Sequence, residues 1–141
     1  MTAVRTVILA LVVALAAATA AHAKDGRSVL VVGDSLAEGT AFDWYHDGRS
    51  LKRRLATAGW RVREKYGNGL QLEGGVDLIA RWPARLPPVL VVQLGTNSDP
   101  RLPAAFRKLV MRVVDVAGPG RCVVWVNLFG PLGYAPLNRV L

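Results

Sequence analysis

Cysteine and histidine are nearly absent from this sequence. Cys122 is the only cysteine, and His22 and His46 are the only histidines among 141 residues. A single cysteine excludes an internal disulfide framework and a metal site built from several cysteines. Because Cys122 lies in the apolar run 122–126, we expect it to be a buried and unreactive side chain.

Acidic residues are also few. Lysine and arginine together number 18 and aspartate and glutamate 10, which gives a formal net charge of +8. Such an excess is compatible with an anionic partner such as nucleic acid. The basic residues are scattered, however, and their one tight group, at 49–54, has no interleaved aromatic residues and no nucleic-acid-binding motif. The sequence therefore favours a solvated basic surface, and we expect no nucleic-acid partner.

Residues 1–23 have the pattern of a secretory signal peptide. Arg5 is their only charged residue, an apolar stretch follows it, and Ala21-His22-Ala23 is a small-x-small cleavage site. The uncharged run 6–23 is close to the lower length limit of a membrane span, so an uncleaved anchor is the alternative. Cleavage predicts a protein that is secreted or located in the periplasm or cell envelope, with no stable membrane span and with 24–141 as the mature chain.

The mature chain alternates apolar runs with helical patterns. Patterns typical of strands lie at 28–32, 60–66, 89–94 and 122–127. Apolar residues have helical spacing at 50–58, 70–82 and 102–117. Residues 128–136 are predicted to form a loop. Strands that alternate with helices predict one α/β domain with a parallel sheet and helices on both faces. The ligand crevice of such a sheet lies beyond the carboxyl ends of the strands.

Three loops follow the first three predicted strands and should meet at that crevice. They contain Gly33-Asp34-Ser35-Leu36, the glycines Gly67 and Gly69, and Gly95-Thr96-Asn97. A serine hydroxyl is a candidate nucleophile there, and acyl transfer also needs hydrogen-bond donors for the developing oxyanion. Ser35, the N–H groups of Ser35 and Gly69, and the Asn97 amide provide these groups.

These motifs resemble those of the SGNH/GDSL hydrolases. The segment Val31-Val-Gly-Asp-Ser-Leu-Ala-Glu-Gly39 is similar to the first signature block of that family, and Val92-Gln-Leu-Gly-Thr-Asn-Ser-Asp99 to the block that supplies its oxyanion asparagine. The resemblance covers the whole mature chain and implies a three-layer α/β/α, flavodoxin-like sandwich. It also implies that Ser35 is the nucleophile and that no metal or organic cofactor takes part. The oxyanion hole would be formed by Asn97 and the N–H groups of Ser35 and Gly69, and Gly67 is the alternative to Gly69.

The family's catalytic block Asp-x-x-His is not found after the last predicted strand. One such spacing occurs at Asp43-Trp44-Tyr45-His46, but it follows the first strand, and we interpret it as coincidental. In the family the histidine of this block is the general base, and the aspartate orients it. We therefore expect 24–141 to be an incomplete domain that lacks the C-terminal strand and helix of the fold.

The resemblance implies a serine esterase that hydrolyses carboxylic esters through an acyl-serine intermediate. Its substrate would be a small-molecule, glycan or lipid ester, and Trp44, Tyr45 and Trp82 are candidates to line an acyl pocket. Without a base, Ser35 keeps the weak nucleophilicity of an ordinary hydroxyl, so the chain as it stands should be inactive or impaired. The alternative is a non-catalytic, secreted carbohydrate- or lipid-binding protein of the same fold, and the sequence does not predict the oligomeric state.

Overall fold

Four parallel strands form the centre of the molecule. The computed structural model describes residues 27–42, 50–81 and 83–141. The strands are β1 (Ser28–Gly33), β2 (Arg61–Tyr66), β3 (Val89–Gln93) and β4 (Cys122–Trp125), and the helices are α1 (Ser35–Gly39), α2 (Leu51–Thr57), α3 (Leu72–Ala80), α4 (Pro103–Ala117) and α5 (Ala135–Asn138). The strand order is β2-β1-β3-β4, and all three neighbouring pairs are parallel. The predicted α/β class with a parallel sheet is confirmed.

Strand β1 is buried on both faces, as its continuous apolar run predicts. Leu30 and Val32 lie in the main core beside the residues of α3 and α4, and Val29 and Val31, which point to the opposite face, are at most 3% exposed. Helix α2 contacts β2 and α1 contacts β1, whereas α3 packs against α4. The sheet is thus the middle one of three layers.

Strand β2 lies at one edge of the sheet, in agreement with its alternating pattern. Val62, Glu64 and Tyr66 are partly buried, whereas the basic residues between them are exposed. Helix α2 precedes it and begins at the predicted place, because the Ser50 hydroxyl oxygen accepts a hydrogen bond from the Arg53 N–H at 3.3 Å. No helix in the described ranges is long and apolar enough to cross a membrane.

The prediction that Cys122 is buried is wrong. Cys122 is exposed because β4 is the other edge strand of the sheet, and Cys122 lies on the sheet face opposite the main core. Val124 and Val126, which share this face, are 44% and 40% exposed. An apolar run alone does not distinguish a central strand from an edge strand, so it does not predict that every residue of the run is buried.

Gly75 of α3 makes room for the side chain of Leu94. Leu94 follows β3 and is fully buried, and a Cβ at Gly75 would overlap its Cδ1 atom. Leu94→Ala is expected to lower the free energy of unfolding by about 2–5 kcal/mol because it leaves a cavity. Gly75→Ala alone should lower it by about 1–3 kcal/mol through overpacking. The double variant should be more stable than Leu94→Ala alone, because the added methyl group enters the cavity and alanine favours the helix.

Urea denaturation of the four proteins measures this coupling. Gly74→Ala is the matched control, because Gly74 is an exposed neighbour in the same helix whose added Cβ would meet only the side chain of Leu70, at 3.2 Å. Combined with Leu94→Ala, it should show no such coupling. If the loss of unfolding free energy in the Gly75→Ala/Leu94→Ala double variant equals the sum of the losses in the two single variants, the close contact between these residues is contradicted.

Candidate active site

Ser35 lies where the sequence predicts it, directly beyond the carboxyl end of β1. Its side chain is exposed, and it is the first residue of the short helix α1. A Cβ at Gly33 would overlap the Cβ of Ala37 and lie 3.1 Å from the Gln93 carbonyl oxygen. The chain therefore turns sharply from strand to helix, and only glycine fits at the turn. This turn brings Ser35 to the rim of the sheet.

Asp34 connects the Ser35 turn to the third loop of the site. The residue is fully buried, and its carboxylate accepts hydrogen bonds from the Leu36 N–H at 2.9 Å and from the Thr96 hydroxyl. Its own N–H donates to the Gln93 carbonyl oxygen at 3.2 Å. The carboxylate thus caps α1 and holds Thr96, so we interpret Asp34 as a positioning residue for Ser35.

Gln93 is a functional-site residue that sequence reasoning missed. Its side-chain oxygen accepts a hydrogen bond from the Ala37 N–H at 3.1 Å, so β3 also supports the helix that begins with Ser35. A signal for this role was present, because Gln93 is the one polar residue in an otherwise apolar strand. A polar side chain that is partly buried in a strand needs a partner, and the first turn of a helix has free N–H groups to offer.

The third loop turns tightly at Gly95. Its φ is +121°, and a Cβ there would lie 2.7 Å from the Phe106 ring, so both backbone and space require glycine. The turn is held from the far end of the chain, since the Tyr134 hydroxyl donates to the Thr96 carbonyl oxygen at 2.6 Å. The Trp125 indole N–H likewise donates to the Leu94 carbonyl oxygen at 3.1 Å. Neither aromatic residue was predicted to support the site.

Asn97 joins the second and third loops. Its side chain is exposed, and its amide nitrogen donates to the Leu70 carbonyl oxygen at 3.3 Å. In the second loop the Gly67 N–H donates to the Gly33 carbonyl oxygen at 3.2 Å. Gly69 has a φ of +68°, and its N–H makes no hydrogen bond within the described part of the chain. This difference favours Gly69 over Gly67 as a donor to a bound oxyanion.

An ion pair lies two residues after Asn97. Arg101 donates to the Asp99 carboxylate from its backbone N–H and from its guanidinium group, with a shortest distance of 2.7 Å. The side-chain hydrogen bond and then the backbone one lower the pKa of Asp99 to about 2. The carboxylate therefore stays ionised through the neutral and mildly acidic range, and the pairing weakens only as the pH falls towards about 2. Arg101 is highly exposed and the Asp99 side chain is 33% exposed, so this pair orders the turn more than it stabilises the fold.

Tyr66 is the titratable side chain that ends β2, and it pairs with Gly33 in the register of the sheet. Burial, and then the neighbouring Glu64 carboxylate, raises the pKa of the Tyr66 phenol well above its ordinary value. The phenol therefore stays protonated at neutral pH. Such a group is unsuited to accept the proton of the Ser35 hydroxyl.

The described residues contain no histidine. The Asp43-Trp44-Tyr45-His46 segment and Trp82 lie outside the described residues, as does the predicted signal peptide at 1–23. A cavity of about 140 Å³ lies beside Asn97, between the first turns of α3 and α4. A larger cleft of about 820 Å³ lies elsewhere, and neither Ser35 nor Asn97 lines it.

Known structures share this arrangement of strands and helices. The chain superposes with a TM-score of 0.58 on AlinE4, described as an SGNH-hydrolase family esterase, over 82% of this chain and 66% of AlinE4 at 23% identity. The chain has the SGNH hydrolase fold. TesA gives a TM-score of 0.60 over 80% of this chain and 69% of that one at 23% identity. The psychrotrophic esterase EstA from Pseudoalteromonas sp. gives 0.58 over 81% and 67%, at 13% identity.

These matches cover most of the chain but only part of each solved structure. The chain spans about two thirds of the length of the SGNH-fold proteins it matches. No protein-family model matches the sequence, and no curated protein sequence does so either. The three-layer fold expected from the resemblance is confirmed. The roles of Ser35, Gly69 and Asn97 stay predictions.

Proposed function

We propose that this protein is a serine esterase of the SGNH type. The observation that carries the proposal is the convergence of three loops at one rim of the sheet. Asp34 holds the turn of Ser35 against Thr96, and Asn97 is hydrogen-bonded to Leu70 in the loop that contains Gly69. A nucleophile and a set of oxyanion donors are the groups that acyl transfer requires.

In this proposal the Ser35 hydroxyl oxygen attacks the carbonyl carbon of an ester. The carbonyl oxygen becomes an oxyanion that accepts hydrogen bonds from the Ser35 and Gly69 N–H groups and the Asn97 amide. The alcohol leaves with a proton, an acyl-serine remains, and water releases the acid from it. The reaction requires no metal ion or organic cofactor, and the substrate is a small-molecule, glycan or lipid ester.

The proton from Ser35 needs a general base. No histidine lies in the part of the chain that the structure describes, and Tyr66 stays protonated. We therefore propose that an Asp-x-x-His segment other than Asp43-Trp44-Tyr45-His46 completes the site, and that 24–141 alone turns over slowly. The pattern at 1–23 supports export, which would place the substrate outside the cytoplasm.

Supplying the base tests the proposal. The C-terminal segment of AlinE4 is fused after Leu141, and the fused and unfused proteins are assayed with p-nitrophenyl acetate. We expect the fused protein to hydrolyse the ester much faster, and a short incubation followed by peptide mass spectrometry to find the acetyl group on Ser35. The AlinE4 segment expressed alone is the control, because it provides a histidine without this serine site.

Two outcomes would contradict parts of the proposal. A folded fusion that is no faster than the unfused chain, with no acetyl group on Ser35, would contradict the esterase function. Rapid hydrolysis by the unfused chain, abolished by His46→Ala, would contradict the external base and would assign that role to His46.

A further inference from the structure

A large cleft lies at the amino ends of the strands, at the opposite edge of the sheet from Ser35. Its volume is about 820 Å³, which is within the range of small-molecule sites. Ser28 and Arg61, the first residues of β1 and β2, line it, and Arg121 comes directly before β4. The cleft is therefore separate from the proposed esterase site.

Four of the residues that line this cleft are arginines, and we call it the arginine cleft. They are Arg61, Arg63, Arg85 and Arg121, and no aspartate or glutamate lines the cleft among the described residues. Guanidinium groups keep their positive charge at every physiological pH. Four positive charges that share a cleft raise its electrostatic potential and attract anions to it.

Two of the arginines are fixed by backbone carbonyl groups. The Arg121 guanidinium donates to the carbonyl oxygens of Pro83, Leu86 and Ala117 at 3.3, 3.3 and 2.5 Å. Arg63 donates to the Arg85 carbonyl oxygen at 2.6 Å. These bonds hold segment 83–86 against β2 and the end of α4. A wall that is already ordered loses less entropy when a ligand binds.

In contrast to Arg63 and Arg121, Arg85 has a guanidinium group that is still available to a ligand. It is exposed, and its guanidinium group makes no hydrogen bond or ion pair with the described part of the chain. A guanidinium fork offers parallel N–H donors that match two oxygens of a phosphate. The basic residues are scattered along the sequence, so only folding brings positions 61, 63, 85 and 121 together.

We propose that the arginine cleft binds a phosphate-bearing anion. Arg85 provides a fork for one phosphate group, and the volume of the cleft leaves room for a second phosphate or for an attached group. The phosphate can belong to a soluble molecule or to a lipid headgroup. Binding is independent of Ser35, because the two sites lie at opposite ends of the strands.

Calorimetric titration of the full 141-residue chain with inorganic pyrophosphate at low salt tests the proposal. We expect saturable binding that Arg85→Gln weakens about tenfold, the loss expected when a charge-assisted hydrogen-bond pair is removed. The double variant R61Q/R85Q should bind more weakly still. The matched controls are R107Q and R107Q/R139Q, which remove the same charge from exposed arginines outside the cleft and should bind within about twofold of the parent.

Vesicles of phosphatidylcholine with and without phosphatidylglycerol distinguish the two sources of phosphate. If the protein sediments with the anionic vesicles only, and if pyrophosphate and the R85Q substitution each reduce the sedimented fraction, the proposal is supported with a lipid headgroup as the ligand. Pyrophosphate binding without vesicle binding supports it with a soluble ligand. Absence of saturable pyrophosphate binding, or an equal loss in the R107Q controls, would overturn it.

Discussion

Ser35→Ala is expected to abolish ester hydrolysis by the protein fused to an Asp-x-x-His segment. Removing the nucleophile of a serine hydrolase lowers kcat by about a millionfold, and what remains comes from binding and the oxyanion donors. The Ser35 side chain is exposed and makes no hydrogen bond within the described residues. The substitution should therefore leave the melting temperature almost unchanged, so the loss of activity reports on chemistry and not on folding.

Ser98→Ala is the matched control for this experiment. Ser98 follows Asn97 in the third loop, and the turn uses its backbone N–H, which donates to the Gly95 carbonyl oxygen at 2.9 Å. Its replacement should leave kcat within a few-fold of the parent. Hydrolysis of p-nitrophenyl acetate that persists in the Ser35→Ala fusion, at a rate comparable to that of the parent, would mean that another group carries the reaction.

Asn97→Ala should lower kcat in the same fusion by about a hundred- to a thousandfold, the usual effect of removing one oxyanion donor. The Asn97 amide would donate more strongly to the oxyanion than to the uncharged ester, so KM should change little. Steady-state kinetics with p-nitrophenyl acetate separates the two parameters. A rise in KM at constant kcat would instead assign Asn97 to substrate binding.

The structural role of Asn97 needs a separate measurement. Its hydrogen bond to Leu70 is exposed, and its loss should change the free energy of unfolding by no more than about 0.5 kcal/mol. Urea denaturation of the Asn97→Ala fusion gives this value. If the variant is destabilised in proportion to its loss of activity, Asn97 acts by holding the loops together and not as a donor to the oxyanion.

The sheet and the rim of the site were predictable from the sequence because they rest on local patterns. Continuous apolar runs place β1 and β3 in the interior, and a glycine begins each of the loops that carry Ser35 and Asn97. Val62 alternates with charged residues, which is a pattern typical of a strand near a sheet edge, and β2 is such a strand. These signals depend on neighbours within a few residues, so no knowledge of the rest of the fold is needed.

The supports of the site depend on contacts between distant residues, and they were not predicted. Helix α1 has only five residues and no apolar repeat, and it is held by Asp34 and by the Gln93 side chain. Tyr134 lies 38 residues from Thr96, in a region predicted to be loop up to residue 136, whereas α5 begins at 135. The exposure of Cys122 and the gathering of four arginines in one cleft likewise depend on how the strands are ordered in space.

The long sequence separations within the site also determine when it forms during folding. The bonds of Asp34 with Thr96 and of Ala37 with Gln93 join residues 62 and 56 positions apart. Both close only after β3 has docked beside β1, and such distant pairings form slowly because a long loop must close first. A ribosome-bound chain that has emerged only as far as α3 therefore contains Ser35 but not the geometry around it. Loss of this geometry should likewise coincide with the cooperative separation of β1 from β3 and not with the fraying of a surface loop.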